Sequence, residues 1–181
     1  MGGRTLVLGG ARSGKSAHAE GLVPAAAPVT YVATARRDPE DLEWAERIAS
    51  HVARRPDTWR TVEAGDADAL LHALTGASPG ATVLVDDLAT WLTGVLDDAG
   101  AWDRDPAALD VVAGHCAALV EAVARCCARV VLVSAEVGLG VVPATRSGRL
   151  FRDELGSLNA RLAEVCDEVV LLVAGLPLRL R

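Results

Sequence analysis

The stretch Gly9-Gly10-Ala11-Arg12-Ser13-Gly14-Lys15-Ser16 decides how the rest of this chain is interpreted. It follows the pattern G-x-x-x-x-G-K-S, the phosphate-binding loop of many nucleotide-binding proteins. Lys15 is the only lysine among the 18 lysine and arginine residues of the chain. A compact ammonium group fits among phosphate oxygens as a point charge, whereas a planar guanidinium is broader. The motif therefore predicts a nucleotide-phosphate site formed by Gly9, Gly10, Ala11, Arg12, Ser13, Gly14, Lys15 and Ser16.

The residues on either side of the loop have the order that such a loop requires. Arg4–Leu8 is a short apolar run typical of a buried strand, and Ser16 begins a helix-compatible stretch. In this order the backbone N–H groups face the phosphates, Lys15 neutralises outer phosphate oxygens and Ser16 offers its hydroxyl to Mg²⁺. The alternative is a glycine-rich turn between strand and helix that binds no ligand.

Composition and charge limit the classes of protein to which the chain can belong. Its 181 residues are 51% hydrophobic and contain no linker-like segment, which predicts one domain spanning residues 1–181. The formal net charge is −6, and the sequence has no basic stripe with interleaved aromatic residues. Because a nucleic-acid surface needs such positive charge, we expect no nucleic-acid partner.

The cysteines and the N-terminal sequence favour a cytoplasmic protein. The four cysteines have neither C-x-x-C spacing nor clustered histidines, so we expect reduced, mostly buried thiols rather than a zinc site or disulfides. We also expect no leader peptide and no membrane span, because the longest apolar run, Val169–Leu176, is too short to cross a bilayer.

Apolar runs of strand length alternate with longer helix-compatible stretches, which predicts an α/β fold with a mostly parallel sheet. The C-terminal run is followed by Gly175-Leu176-Pro177 and a further short run, which predicts a hairpin and an antiparallel edge strand. The predicted strands are Leu6–Leu8, Val29–Ala33, Val83–Val85, Val130–Val133 and Val169–Val173. The predicted helices are Ser16–Leu22, Glu40–Ala53, Ala67–Leu74, Thr90–Asp97, Ala107–Cys127 and Gly148–Cys166.

The strand Val83-Leu84-Val85 ends in two acids, Asp86 and Asp87. An apolar strand ending in an acid is typical of the Walker B strand, whose carboxylate holds Mg²⁺, usually through water. We assign this role to Asp86. An aspartate after a strand is also a common helix cap, and Asp87 is the candidate for that role.

His51 is a candidate nucleophile late in the predicted helix Glu40–Ala53. A neutral imidazole can attack phosphorus, and the neighbouring arginines could steady the phosphate under attack. From chemistry alone, a structural or solvated histidine is the more common case.

A second glycine-containing loop, Glu136–Pro143, follows a predicted strand, where α/β sheets build ligand crevices. Arg149 and Arg152 then lie on one face of the next predicted helix. These arginines are consistent either with anion binding or with a solvent-facing charged helix.

Together these segments resemble one family, the bifunctional adenosylcobinamide kinase / adenosylcobinamide-phosphate guanylyltransferases of cobalamin biosynthesis. The resemblance covers nearly the whole chain, and its most distinctive parts are G-G-A-R-S-G-K-S and E-V-G-L-G-V-V-P. The other matching segments are Tyr31–Ala35, Arg47-Ile48 with His51, Arg55-Pro56, Trp59 with Glu63, Trp91 after the Asp86 strand, and Arg149–Asp153.

The resemblance implies a three-layer, RecA-like P-loop nucleoside-triphosphatase fold and two reactions with Mg²⁺. In the first, the γ-phosphate of ATP or GTP is transferred to the hydroxyl of adenosylcobinamide. In the second, a histidine attacks the α-phosphorus of GTP and pyrophosphate leaves. The substrate phosphate then displaces the histidine, which gives adenosylcobinamide-GDP.

The resemblance also implies roles for particular residues. His51 matches the histidine that carries GMP, which favours the nucleophilic interpretation. Thr34, Arg54, Arg55 and Glu63 fall on or beside segments that the resemblance places near the nucleotide. The family relationship further implies a homo-oligomer, specifically a trimer, with adenosylcobinamide and its phosphate as substrates.

The chain departs from the family pattern at three places. It has Gly94 where the family usually has asparagine, Ala144-Thr145 where it has a Glu-Asn pair, and Trp44 where it has methionine. The nucleotide-binding residues are retained, whereas the corrinoid contacts after Pro143 are not predicted by the pattern. Two further hypotheses remain at this stage: a small P-loop kinase for another hydroxylated metabolite, with His51 inert, and a non-catalytic nucleotide-dependent switch.

Overall fold

The computed structural model describes residues 2–24, 27–36 and 55–181. Its centre is a seven-stranded sheet with the order β3-β2-β4-β5-β1-β6-β7. Strands β1 to β6 all run parallel to one another, and the edge strand β7 runs antiparallel to β6. The strands are β1 Arg4–Gly9, β2 Val29–Ala33, β3 Arg60–Glu63, β4 Thr82–Asp86, β5 Arg129–Ala135, β6 Glu168–Val173 and β7 Leu176–Arg179.

Helices cover both faces of this sheet, which is why its central strands are apolar on both sides. Helix α1 packs on the face that contains Val7, Tyr31 and Leu84. The other described helices pack on the opposite face, against residues such as Leu6 and Val85. The helices are α1 Lys15–Gly21, α2 Ala67–Thr75, α3 Leu88–Ala99, α4 Pro106–Arg125 and α5 Arg146–Val165, with a short 3₁₀ helix at Ala101–Asp103.

Side chains cap the N-termini of four of the described helices. The residues are Asp66, Asp87, Asp105 and Thr145, each accepting a hydrogen bond from a backbone N–H three residues later. Each bond satisfies one of the N–H groups that have no partner within the helix. The prediction that Asp87 caps the helix after β4 is therefore confirmed.

The predicted α/β class, the mostly parallel sheet and the antiparallel edge pair are confirmed. The predicted elements within the described residues agree with the observed ones to within two residues at each end. Strand β3 was not predicted, because Arg60-Thr61-Val62-Glu63 is short, polar and largely exposed at the edge of the sheet. The predicted helix Glu40–Ala53 lies outside the described residues.

Helix α4 is the one helix of the described residues that is long and apolar enough to cross a membrane. In this structure it contributes Val112, Leu119 and Val123 to the main apolar cluster, as the core helix of a globular domain does. All four cysteines are free thiols. Cys116 and Cys166 are buried, but Cys127 is exposed, so the prediction of buried thiols is correct for only part of the set.

Candidate functional site

The predicted site residues on β1, β2, β3 and β4 come together because these strands are parallel. The loop Gly10–Gly14 follows β1, Thr34 follows β2, Glu63 ends β3 and Asp86 ends β4. Ala33 is in register with both Glu63 and Asp86. All these positions therefore lie along the carboxyl edge of the sheet, where α/β proteins bind their ligands.

The Gly9–Ser16 loop is shaped mainly by its backbone. Gly14 has φ 86°, and Arg12 has φ 55°. The Ser13 N–H donates to the Gly10 carbonyl at 3.3 Å. A Cβ atom built at Gly9 would lie 2.3 Å from the Ser13 Oγ, so this position has no room for a side chain. Glycine is thus required at Gly9 by the close approach of Ser13 and at Gly14 by its left-handed conformation.

The side chains of Lys15 and Ser13 have few hydrogen-bond partners among the described residues. The Lys15 Nζ lies 3.5 Å from the Gly10 carbonyl, at the limit of a hydrogen bond, and the ammonium group is only half-buried. The Ser13 Oγ is buried and has no hydrogen-bond partner in the described part of the chain. A buried polar atom without a partner is costly, and an incoming phosphate oxygen would satisfy it.

Asp86 is bound on both of its carboxylate oxygens. The Ser16 hydroxyl donates to Oδ1 at 3.1 Å, which joins the start of α1 to the end of β4. The Tyr31 hydroxyl donates to Oδ2 at 2.6 Å, across from the neighbouring strand β2. A hydroxyl and a carboxylate are the oxygen donors that Mg²⁺ prefers. The Ser16 hydroxyl and the Asp86 carboxylate therefore supply oxygen atoms of the kind found in Mg²⁺ sites that water and phosphate oxygens complete.

Tyr31 belongs to a compact aromatic cluster on the α1 face of the sheet. Burial, reinforced by the Asp86 carboxylate, raises the pKa of Tyr31 far above its usual value, so the hydroxyl stays protonated and acts as a donor. The Arg55 guanidinium lies 3.5 Å from the centre of the Tyr31 ring, and its Nη1 donates to the Thr61 hydroxyl at 3.2 Å. The Trp59 ring stacks on Tyr31 with centroids 6.2 Å apart.

Thr34 supports the turn that follows Asp86. Its hydroxyl donates to the Asp87 carbonyl at 2.7 Å and accepts from the Asp87 N–H at 3.0 Å. The Asp86–Asp87 peptide bond within this turn is cis. The Asp87 carboxylate caps α3 by accepting from the Thr90 N–H at 2.8 Å. The carboxylates of the two adjacent acids thus have different partners. That of Asp87 caps helix α3, and that of Asp86 faces Ser16 at the end of the Gly9–Ser16 loop.

The structure brings some predicted site residues together and does not describe others. Arg55 lies on Tyr31, and Glu63 is exposed at the end of β3. His51 and Arg54 lie outside the described residues.

The Glu136–Pro143 loop is fixed to the phosphate-loop region at its first residue. The Glu136 N–H donates to the Gly9 carbonyl at 3.1 Å. Asn159 of α5 supports the strand just before it, accepting from the Ser134 hydroxyl at 2.7 Å and donating to the Ala135 carbonyl at 3.0 Å. The carboxyl ends of β1 and β5 are therefore held side by side.

The end of the same loop is fixed by Arg149. Its guanidinium donates to the carbonyls of Pro143 and Ala144 at 2.9 and 2.8 Å. Arg152 forms an ion pair with the adjacent Asp153 at 3.0 Å. Arg149 is therefore bound to the end of the Glu136–Pro143 loop rather than simply facing solvent, and Arg152 is paired with an acid on its own helix.

Gly94, one of the departures from the family pattern, lies against the side chain of Arg36. A Cβ atom at Gly94 would be 3.2 Å from the nearest guanidinium nitrogen of Arg36. That guanidinium is anchored to the Asp98 carboxylate and, at 2.6 Å, to the Gly65 carbonyl. The arginine occupies the space that a side chain at position 94 would need.

Sequence reasoning missed the contact between Tyr31 and Asp86. Tyr31 was noted only as part of a segment of the family resemblance. The signal that could have found it is strand register, because Tyr31 points to the same face as Ala33, and Ala33 pairs with Asp86. A polar hydroxyl on an otherwise apolar buried strand also requires a partner.

Comparison with known proteins gives the relatives of this chain. The family model described as cobinamide kinase / cobinamide phosphate guanyltransferase matches residues 5–180. The bifunctional adenosylcobalamin biosynthesis protein CobU of Escherichia coli strain K12 is 43% identical over an alignment 183 residues long, which covers 97% of this chain and 98% of that protein. The bifunctional adenosylcobalamin biosynthesis protein CobP of Pseudomonas aeruginosa is 44% identical over an alignment 180 residues long, which covers 98% of this chain and 97% of that protein. This chain therefore belongs to the cobinamide kinase / cobinamide phosphate guanyltransferase family of bifunctional enzymes.

Proposed function

We propose that this chain phosphorylates adenosylcobinamide with ATP or GTP and then transfers GMP from GTP to the product, which yields adenosylcobinamide-GDP and pyrophosphate. The observation that carries the proposal is the family match over residues 5–180. The 3.1 Å contact between Ser16 and Asp86 supports it, because a Mg²⁺-nucleotide site needs a hydroxyl and a carboxylate at this place. The corresponding fold is a single-domain, RecA-like P-loop fold spanning residues 1–181.

In the kinase reaction, the Gly9–Ser16 loop binds the nucleotide phosphates through its backbone N–H groups and the Ser13 hydroxyl. Lys15 neutralises the outer phosphate oxygens as the phosphoryl group is transferred. Ser16 and Asp86 are the residues that would hold Mg²⁺, and the bound ion would neutralise charge on the transferring phosphate. By the family resemblance, Thr34, Arg54, Arg55 and Glu63 contribute to nucleotide binding.

In the guanylyltransferase reaction, His51 is the nucleophile. A ring nitrogen donates its lone pair to the α-phosphorus of GTP, a P–N bond forms, the P–O bond to pyrophosphate breaks and pyrophosphate carries away the electron pair. An oxygen of the corrinoid phosphate then attacks the same phosphorus and releases the imidazole.

We also propose that the protein acts in the cytoplasm as a homo-oligomer, a trimer by analogy with its family. The experiment that tests the proposed function uses GTP labelled with ³²P at the α or the γ position, followed by denaturation of the protein. Retained α-label on the protein indicates guanylylation, and γ-label transferred only when adenosylcobinamide is present indicates kinase activity. Transfer to another metabolite without α-label on the protein would favour a simple kinase, and slow hydrolysis alone would favour a switch.

A further inference from the structure

The contacts around Tyr31 link two parts of the site that the proposed function treats separately. One is the metal-side carboxylate of Asp86, which accepts a hydrogen bond from the Tyr31 hydroxyl at 2.6 Å. The other is the Arg55 guanidinium, 3.5 Å from the centre of the Tyr31 ring. The Tyr31 hydroxyl therefore contacts Asp86, and the face of the Tyr31 ring contacts Arg55.

We propose that Tyr31 is a positioning residue that orients the Asp86 carboxylate through its hydroxyl and the Arg55 guanidinium through its ring. The proposal rests on the proposed function, because it assigns Tyr31 to the same nucleotide site. In this proposal Tyr31 touches neither the metal ion nor the nucleotide. It acts through Asp86 on the metal side and through Arg55 on the nucleotide side.

The hydroxyl determines which oxygen of Asp86 is available to Ser16 and the metal. With Oδ2 bound to Tyr31, the carboxylate is held with Oδ1 towards the Ser16 hydroxyl. Without the Tyr31 hydroxyl, Oδ2 of Asp86 loses the hydrogen bond that helps to fix the orientation of the carboxylate. Loss of such supporting hydrogen bonds commonly costs about ten- to a hundredfold in metal affinity or activity.

The ring has a different role on the Arg55 side. The Arg55 Nε is buried and makes no hydrogen bond within the described residues, where the guanidinium contacts the Tyr31 ring and the Thr61 hydroxyl. Trp59 packs on Tyr31 and holds the ring in place. A phenylalanine at position 31 would keep this stacking, whereas a leucine would remove it.

The metal arm of the test compares Tyr31→Phe with Trp59→Phe, an aromatic substitution in the same cluster that does not touch Asp86. Binding of Mn²⁺ is measured by electron paramagnetic resonance with a non-hydrolysable GTP analogue, so no turnover is needed. We expect Tyr31→Phe to weaken Mn²⁺ binding about tenfold or more and Trp59→Phe to leave it within about twofold. Equal Mn²⁺ affinity of Tyr31→Phe and the unmodified protein would overturn the Asp86 part of the proposal.

The ring arm measures binding of the same analogue without divalent metal. We expect Tyr31→Leu to bind it roughly three- to thirtyfold more weakly than Tyr31→Phe, from loss of the cation–π contact. Equal binding by these two variants would overturn the Arg55 part.

A spectroscopic measurement tests the contact between Tyr31 and Asp86 without replacing Tyr31 by another residue type. Tyr31 is the only tyrosine in the chain, so fluorotyrosine labelling gives a single ¹⁹F resonance. We expect this resonance to shift in Asp86→Asn and when Mg²⁺ is added to the analogue complex. A resonance insensitive to both would contradict the contact. If the protein bound Mn²⁺ as expected but formed no GMP adduct and phosphorylated no corrinoid, the proposed function would fail while the Tyr31 assignment stood.

Discussion

The Gly9–Ser16 loop and the Asp86 centre lie opposite each other at the carboxyl edge of the sheet, but they are built in different ways. The loop owes its shape to local backbone conformation: a left-handed Gly14, a close approach at Gly9 and a short turn closed by the Ser13 N–H. The Asp86 centre is assembled from three separate segments, since Ser16, Tyr31 and Asp86 come from α1, β2 and β4. The loop is determined by neighbours in sequence and the Asp86 centre by the topology of the sheet.

This difference has a functional consequence. Among the residues that the structure describes, the ammonium group of Lys15 makes one weak contact, at 3.5 Å, which leaves it accessible to a ligand from that side. Both oxygens of the Asp86 carboxylate, in contrast, have donors at 3.1 and 2.6 Å and are already oriented. We therefore expect substitutions in the loop to act on phosphate binding and transfer, and substitutions around Asp86 to act on metal dependence.

Lys15→Ala has the largest expected effect and tests whether the loop acts on phosphate transfer rather than on metal dependence. We expect it to reduce the kinase rate by roughly a hundredfold or more, because the lost charge-assisted contact strengthens as the phosphoryl group is transferred. Raising the Mg²⁺ concentration should not restore the rate. Steady-state kinetics of corrinoid phosphorylation measure this.

Lys15→Arg is the matched variant, because it keeps the charge and changes its shape. We expect it to remain impaired, since the guanidinium is too broad for a loop that fits a compact ammonium group. Phosphorylation at the unmodified rate would contradict our account of why this chain has a lysine only at position 15.

Asp86→Asn should have the next largest effect. The amide keeps the shape but removes the charge that holds the metal, so we expect the Mg²⁺ concentration for half-maximal kinase rate to rise roughly ten- to a hundredfold. In contrast to Lys15→Ala, high Mg²⁺ should partly restore the rate. An unchanged Mg²⁺ titration would mean that another acid, such as Asp87, is the metal partner.

Gly9→Ala should have the smallest effect and tests whether the loop is determined by its own packing. A Cβ at Gly9 would meet the Ser13 Oγ at 2.3 Å and the Leu172 Cβ at 3.2 Å. We expect a loss of about 1–3 kcal/mol in the free energy of unfolding, measured by urea denaturation. Gly10→Ala is the control, because a Cβ there meets nothing within 4 Å. Equal stability of the two variants would show that the loop yields more easily than its geometry implies.

The two regions also explain how much could be predicted from the sequence. The Gly9–Ser16 motif and the strand that ends at Asp86 are local patterns, and both predicted the elements in which they lie. The contact of Tyr31 with Asp86 joins residues that are 55 positions apart, and no local pattern carries it. Strand β3 was missed for another reason, because its polar edge sequence lacks the apolar run by which strands are recognised.

Two structural roles could likewise be seen only in three dimensions. The family resemblance predicts Thr34 near the nucleotide, and the structure adds that its hydroxyl is bound to the backbone of Asp87, just after the neighbouring strand β4. Gly94 departs from the sequence pattern of the family. In the structure a Cβ atom at this position would lie 3.2 Å from the Arg36 guanidinium. Both depend on which strands and helices are neighbours in the fold.

The central claim is that one chain transfers a phosphoryl group and also carries GMP on its own histidine. The most direct test is mass spectrometry of the protein after incubation with GTP and Mg²⁺, with peptide mapping and with His51→Ala in parallel. We predict one GMP per chain on His51, in a bond that is labile to acid and stable to alkali, and no adduct in His51→Ala, which should still phosphorylate adenosylcobinamide. A GMP adduct on Lys15, or one that persists in His51→Ala, would contradict the account.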